Sequence, residues 1–412
     1  MPSVFSGEES QVADVAAPPV SSKVDTLSIE HAVAEAFNNH PQLQAAAAAV
    51  RKQQHLVYQS TRKPNPVVGY TASEVGNDGE AGQQGLFLSQ DFVRGGKLAL
   101  NGQIRERDVS IAAHELRLRQ KQVEADTRLA FLDVAVAQER QKLLNRLQES
   151  LSQAQESAKR LWNSGITSAS SVSQAQLEAQ SNVMQIERTK TQLAIAKLRL
   201  AALIGRDNIS QEVTAGILLP GDNEEELNQL WEKIGAGSPE IALAGCRYDQ
   251  SQWKVRREIA EPIPDLQTQW SLQQDAATNH TVLGIQLGVE LPVRDKNRGA
   301  INAARAESWR SHHQIDSVRR DLRQRLVLTY GQLQQADQQL KFIREELEGL
   351  ARENVQKTQQ AFSLGEATYL NLLNAQRGYI SLSLNTLKLY QQRAVAKTHL
   401  QTYLVRATTS NE

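Results

Sequence analysis

Between residues 266 and 291 apolar and polar positions alternate. Leu266, Thr268, Trp270 and Leu272 are separated by Gln267, Gln269, Ser271 and Gln273; Leu283, Ile285, Leu287, Val289 and Leu291 are separated by Gly284, Gln286, Gly288 and Glu290. A period of two gives each strand one apolar and one polar face, so the pattern predicts a β-hairpin over about 264–292. A weaker version of the pattern predicts another over about 66–93. There, residues 67–75 and 85–93 carry Val, Tyr, Phe and Leu on either side of the turn-rich Gly76-Asn77-Asp78-Gly79-Glu80.

After each hairpin the period lengthens. A helix is predicted over about 96–162, roughly 100 Å at the helical rise, and another over about 299–362. In the latter, Leu333, Ala336, Leu340, Ile343, Leu347 and Leu350 are spaced 3,4,3,4,3, a coiled-coil seam. Ala154, Ala158 and Leu161 continue a similar stripe in the former. Gly165 and Gly365 break these helices, and returning helices are expected over about 166–205 and 366–408. Before the first hairpin, Ser28 can cap a helix bearing Ile29, Val33, Ala36 and Phe37 on one side. A second helix follows Pro41 to about Lys63, where Pro64 and Pro66 stop it. Residues 1–25, rich in Ser, Ala, Val and Pro, read as a disordered leader, and 206–222 as a linker.

The whole arrangement occurs twice. Asn39-His40-Pro41-Gln42-Leu43 returns as Gly237-Ser238-Pro239-Glu240-Ile241, and Pro64-Asn65-Pro66 as Pro262-Ile263-Pro264. Ser164-Gly165 and Ala175-Gln176 return as Leu364-Gly365 and Ala375-Gln376. Pro41 to Pro239 is 198 residues and Gly165 to Gly365 is 200. That period is too long for a solenoid unit and marks a duplicated domain, with repeats over about 26–205 and 223–408.

Composition narrows the function. The 412 residues carry 46 basic and 46 acidic side chains, which argues against nucleic acid as the main partner. Aromatics are only 5%, and Gln, Ala, Leu, Glu and Arg dominate, as in long exposed helices. Cys246 is the single cysteine, so no internal disulfide is possible. His312-His313 is the only adjacent histidine pair, and helix neighbours point in different directions, so no metal site is expected. No P-loop, G-x-S-x-G, H-E-x-x-H or C-x-x-C is present. The glycines of Gly284-Ile285-Gln286-Leu287-Gly288 are small polar-face positions, and Arg319, Arg320, Arg323 and Arg325 read as a solvated basic face. The chain is therefore expected to be no enzyme and to need no cofactor. No run of 18 apolar residues exists, and the first 25 residues show no signal peptide.

Four strands with one apolar face cannot close a barrel, which needs about eight, and an open sheet exposes two edges. Two chains would supply eight strands and three would supply twelve. The alternation fits a transmembrane β-barrel or a soluble β-layer packed on helices. The helices fit a larger helical tube or a cytosolic coiled-coil scaffold.

In the order of its elements the chain resembles the TolC-like outer-membrane factors of tripartite efflux and type I secretion systems, over about residues 26–408. Four motifs look closest to the heavy-metal branch, of cobalt–zinc–cadmium and copper–silver type. They are Asn39-His40-Pro41-Gln42-Leu43; Leu88-Ser89-Gln90 with Arg94-Gly95-Gly96-Lys97; Leu291-Pro292-Val293-Arg294-Asp295-Lys296-Asn297-Arg298-Gly299; and Gly365-Glu366-Ala367-Thr368-Tyr369-Leu370-Asn371-Leu372-Leu373-Asn374-Ala375-Gln376. The resemblance implies a mainly α fold with a small β part. It further implies a homotrimer with a twelve-stranded barrel in outer-membrane lipid and a periplasmic α-barrel. Its partners would be a periplasmic membrane-fusion adaptor and an inner-membrane pump of RND type. It implies a passive, gated exit duct for heavy-metal cations, with multidrug efflux or type I secretion as alternatives. The adaptor-docking tips would be at Gly165, Ile166, Gly365 and Glu366. Asn371 and Asn374 would line the pore entrance at positions where many family members carry aspartates. Ser168, Ala169, Ser170 and Ser171 also depart from the family's usual leucine- and aspartate-bearing first tip.

Overall fold

The computed structural model describes residues 26–74, 82–210, 212–214, 216 and 226–405. The expected leader, the turn over 76–80 and most of the 206–222 linker lie outside these residues.

Each half begins with two helices in tandem, α1 (Ile29–Asn39) and α2 (Pro41–Ser60) in the first, α5 (Leu227–Gly237) and α6 (Pro239–Ala260) in the second. The recurrent Pro41 and Pro239 occupy the first helical position, where a missing N–H costs nothing. Ser28 and Ser238 cap α1 and α6 by accepting from the N–H groups of His31 and Ile241. The tandem helices lead into strands β2 (Val67–Ser73) and β3 (Gln83–Phe92), and β5 (Leu266–Asp275) and β6 (His280–Val289). The two hairpins form one antiparallel sheet in the order β2-β3-β5-β6.

Register puts all the alternating apolar positions on one side. One rung reads Val68, Leu88, Trp270, Ile285 and the next Tyr70, Leu86, Leu272, Leu283. Val68, Leu86, Leu272, Leu283, Ile285 and Leu287 each remain 58–69% exposed. The opposite face carries Gln, Ser, Thr and Gly. There Gly69 leaves room for the Phe87 ring, whose Cε1 and Cζ lie 2.5 Å from where a Cβ at 69 would stand.

A buried neck joins sheet to helix. After β3, Gly95 and Gly96 both adopt left-handed backbone (φ 68° and 69°), and α3 (Lys97–Asn163) starts at a lysine that is only 6% exposed. Lys97 Nζ lies 3.1 Å from Asp265 Oδ1, which also accepts from the Arg94 N–H at 2.9 Å. Burial would push the Asp265 carboxyl up, but these hydrogen bonds and the nearby charges of Lys97 and Arg257 hold it below the usual carboxylate range. In the second half, Asn297 takes the left-handed position (φ 56°), and its side-chain amide donates to Glu258 Oε2 and to the Glu258 carbonyl.

α3 is the spine of the molecule. It packs along α2 and α6 on the sheet side and, towards the far end, along α4 (Ala169–Ile204) and α9 (Tyr369–Gln401). Its partner in the second half is α7 (Arg298–Phe342) and α8 (Glu348–Ser363), joined by a π-helical turn over Ile343–Leu347. At mid-length a core of Val123, Phe131, Leu132 and Val134 packs on α1, on Leu200 and Ile204, and on a parallel pair of two-residue strands, β1 (Thr26–Leu27) and β4 (Glu212–Val213). Phe131 and Leu132 are fully buried, each contributing about 1.5–3 kcal/mol of transfer free energy.

Three expectations need correction. The seam holds through Leu333, Ala336, Leu340 and Ile343, all buried, but Leu350 is 64% exposed. The π-turn absorbs one extra residue, so the buried and half-buried positions continue instead at Leu347, Ala351, Val355, Thr358 and Phe362. The returning helix α9 ends at Gln401 and not near 408. Tyr403 and Leu404 turn left-handed (φ 56°), and Leu404 is buried with its carbonyl held by the Arg325 guanidinium. Arg325 is therefore no part of a solvated face: its side chain is 16% exposed and paired with Glu240 at the start of α6. Arg319 and Arg323 remain outside, Arg319 3.9 Å from Asp316 and Arg323 over the Trp231 ring.

The neck makes a discriminating prediction. A Cβ at Gly96 meets nothing within 4 Å, whereas one at Gly95 lies 2.9 Å from the Ile263 side chain. Gly96→Ala should cost about 1–2 kcal/mol, the left-handed penalty alone, and Gly95→Ala clearly more. Equal midpoint shifts in thermal unfolding of the two variants would contradict this account of the neck.

Candidate functional site

Two surfaces carry the candidate function, the helical tips and the exposed sheet face, at opposite ends of the long helices.

Each tip is a glycine-terminated turn of the same design. Gly165 (φ 75°) and Gly365 (φ 78°) are left-handed, and a Cβ at either would meet nothing within 4 Å. The Ile166 N–H donates to the Leu161 carbonyl at 2.9 Å, and the Glu366 N–H to the Ala361 carbonyl at 2.9 Å. This six-to-one bond closes the orphan carbonyls of α3 and α8 and reverses the chain in four residues. The glycines are thus required for backbone reasons whatever else the tips do. Gly165, Ile166, Gly365 and Glu366 are all exposed, as are Trp162 and Leu364.

The turns match, but the flanks do not. In the first half Ser168 precedes α4, with its hydroxyl 2.7 Å from Ser170 and 3.2 Å from Ser171. In the second, Thr368 caps α9 by accepting from the Asn371 N–H at 3.3 Å. Ala154, Ala158, Ala175 and Ala179 of the first hairpin then receive Phe362, Tyr369, Leu372 and Leu373 of the second. Four alanines of the first hairpin, with Leu151, face these larger side chains of the second. The phenol of Tyr369 is raised by burial first and then by the Glu178 carboxylate, and its hydroxyl has no hydrogen-bond partner among the described residues.

The structure also joins residues that the sequence left far apart. Arg377 pairs with Glu178, and Gln376 Nε2 donates to Ser150 Oγ at 2.7 Å. Sequence reasoning missed both links, since they join positions 199 and 226 residues apart and follow no period. The pseudo-equivalence of Gln176 and Gln376 is misleading here, because Gln376 is buried and Gln176 exposed. Asn371 and Asn374 project from the first turns of α9 and are exposed, while Leu372 and Leu373 between them face the core. A polar groove of about 260 Å³ runs between the two hairpins beside the tips, lined by Gln153, Ser157, Arg160, Gln359 and Phe362 among others.

His312 and His313 lie far along α7 from the tips and stack on aromatics, His312 against Tyr248 and His313 edge-on to Trp309. Cys246 is half-buried, with a thiol raised chiefly by burial. Among the described residues no three His, Cys, Asp or Glu side chains come together to hold a metal ion. No described helix is long and apolar enough to cross a membrane.

Known proteins share this architecture. The chain is 23% identical over 382 residues to the cobalt-zinc-cadmium resistance protein CzcC of Cupriavidus metallidurans, covering 92% of this chain and 90% of that one. Its fold superimposes on CusC with a TM-score of 0.77 at 14% identity, covering 91% of each chain. On VceC of Vibrio cholerae the TM-score is 0.75 at 17% identity, covering 92% of this chain and 96% of the other. The sequence profile of the outer membrane efflux proteins matches twice in succession, over residues 32–206 and 230–405. The chain belongs to the outer membrane efflux protein family.

Proposed function

We propose that three copies of this chain close their sheets into a twelve-stranded barrel in the outer membrane and their helices into a periplasmic tube. The duct so formed is the passive exit of a tripartite efflux system for heavy-metal cations. The observation that carries the membrane reading is the single apolar sheet face. Its side chains are exposed in one chain, and they continue past β6 through Leu291 and Val293, 71% and 75% exposed. Within β6, Leu283 to Val289 spans about 20 Å of extended chain, and Leu291 and Val293 lengthen the exposed apolar stretch beyond the strand towards the height of a hydrocarbon-facing band, about 25 Å. The opposite, polar face then lines the lumen.

The same closure accounts for the helices. They do no chemistry, and the chain is not an enzyme. The tips are the parts furthest from the sheet, and the adaptor docks on them through Gly165, Ile166, Gly365 and Glu366. Asn371 and Asn374, on the second tip, line the pore entrance. Metal as cargo is supported by the similarity to a cobalt-zinc-cadmium resistance protein over nine-tenths of both chains. The pump partner is then an inner-membrane transporter of RND type, which supplies the energy. The uncharged Asn371 and Asn374 favour a second reading, in which the duct serves organic cargo or polypeptide. Family membership leaves a cytosolic scaffold without support.

Three outcomes are expected. Purified in detergent, the full chain should run at about three times its 45.7 kDa mass plus bound detergent. A monomer that stays soluble without detergent would exclude the barrel. A deletion strain should be sensitive to one or two of zinc, cobalt, cadmium, copper and silver, and complementation with a secreted form of this chain should rescue it. Sensitivity confined to dyes and detergents would move the cargo to organic compounds. Gly365→Val puts a branched side chain into left-handed backbone at a local cost of about 1–3 kcal/mol. It should leave the trimer intact while weakening adaptor capture about tenfold or more, and unchanged capture would remove the second tip from the docking surface.

A further inference from the structure

The polar face of the sheet has an unusual composition for the wall of an ion-carrying duct. Register places Gln83, Gln267, Gln269, Gln273 and Gln286 on it, together with Gly69, Gly85, Gly284 and Gly288 and several hydroxyl side chains. Its charged positions among the described strand residues fall at the two ends. Asp91 lies near the neck, and Asp275 opposite His280 lies at the hairpin end. Midway, one rung runs Val67, Ser89, Gln269, Gln286. A primary amide is neutral and both donates and accepts hydrogen bonds, so it can solvate a hydrated cation or anion equally well.

Two further observations agree. The chain balances 46 basic against 46 acidic side chains, so its formal net charge is zero. At the other end of the helices, the exposed positions 371 and 374 are asparagines, again neutral amides.

We propose that the duct is nearly blind to the sign of charge. The belt formed by Gln269 and Gln286, six amides in a trimer, sets this property in the membrane-spanning part. This inference rests on the barrel closure proposed above. Between its two ends the wall of amides, hydroxyls and glycines, with the apolar Val67, Phe87 and Val282, carries no fixed charge to favour one sign.

The test is the permeability ratio of potassium to chloride for the full chain inserted into planar lipid bilayers under a salt gradient. The native ratio should lie within about two- to threefold of unity, because fixed charge at the lining is what gives pores their sign preference. The double variant Gln269→Glu/Gln286→Glu should raise the ratio several-fold, and Gln269→Lys/Gln286→Lys should lower it several-fold. A native ratio more than about tenfold from unity in either direction would overturn the proposal. So would a ratio that neither variant moves, since the belt would then not line the ion path. Complete absence of conductance would instead strike at the barrel closure, and is distinguishable from a selective channel.

Discussion

A four-stranded sheet with one apolar face and two unpaired edges is not a finished structure. Strands β2 and β6 each present a row of backbone groups to whatever lies beyond. In hydrocarbon each unsatisfied group costs several kcal/mol, so only a closed array is tolerable there. In the proposed duct further copies supply the missing strands, because apart from the two-residue β1 and β4, which pair with each other, the described residues contain no others. The rest of the molecule conforms to that demand. At the neck, paired left-handed glycines lead into the buried Lys97, and the Asp265 carboxylate holds both Lys97 and the Arg94 N–H, tying the end of β3 and the start of β5 to the head of α3.

The helices solve a similar problem differently. Apart from the cluster around Phe131, the one at the tips and the one joining α5 to Leu322 and Leu326, their buried side chains form narrow seams such as Leu340, Ile343 and Leu389. Such seams favour elongation over a thick core, which explains why an average-sized chain is dominated by helices of about 100 Å. One cluster sits where α1, α4 and the short strands meet α3, a second joins Leu230 and Ile234 of α5 to Leu322, Leu326 and Leu404, and a third lies where the hairpin tips meet.

Much of this was legible in the amino-acid order because it rests on local periodicity. Alternation over 266–289 marks strands, paired prolines mark helix starts and stops, and lone glycines mark the tip turns. The mainly helical character with a small sheet follows directly. What could not be read depends on phase and on distance. Leu350 looks like a seam residue because leucine at a three-residue step is the expected choice, yet the π-turn rotates Ala351 inward in its place. Arg325 looks solvated because its partners, Glu240 and the Leu404 carbonyl, are about 80 residues away. At the candidate site the turn glycines announce themselves, whereas the Glu178–Arg377 and Ser150–Gln376 links have no local signature.

The alanines of the first tip and the bulky side chains of the second have a consequence for the history of the duplication. Two equal halves could once have exchanged places freely, but these cannot. A chain made of two first halves would leave voids where Phe362, Tyr369, Leu372 and Leu373 now fill space, and one made of two second halves would overfill the same region. Divergence at this contact has turned a near-symmetric pair into more complementary parts, so replacing either half by a second copy of the other would carry a packing cost here.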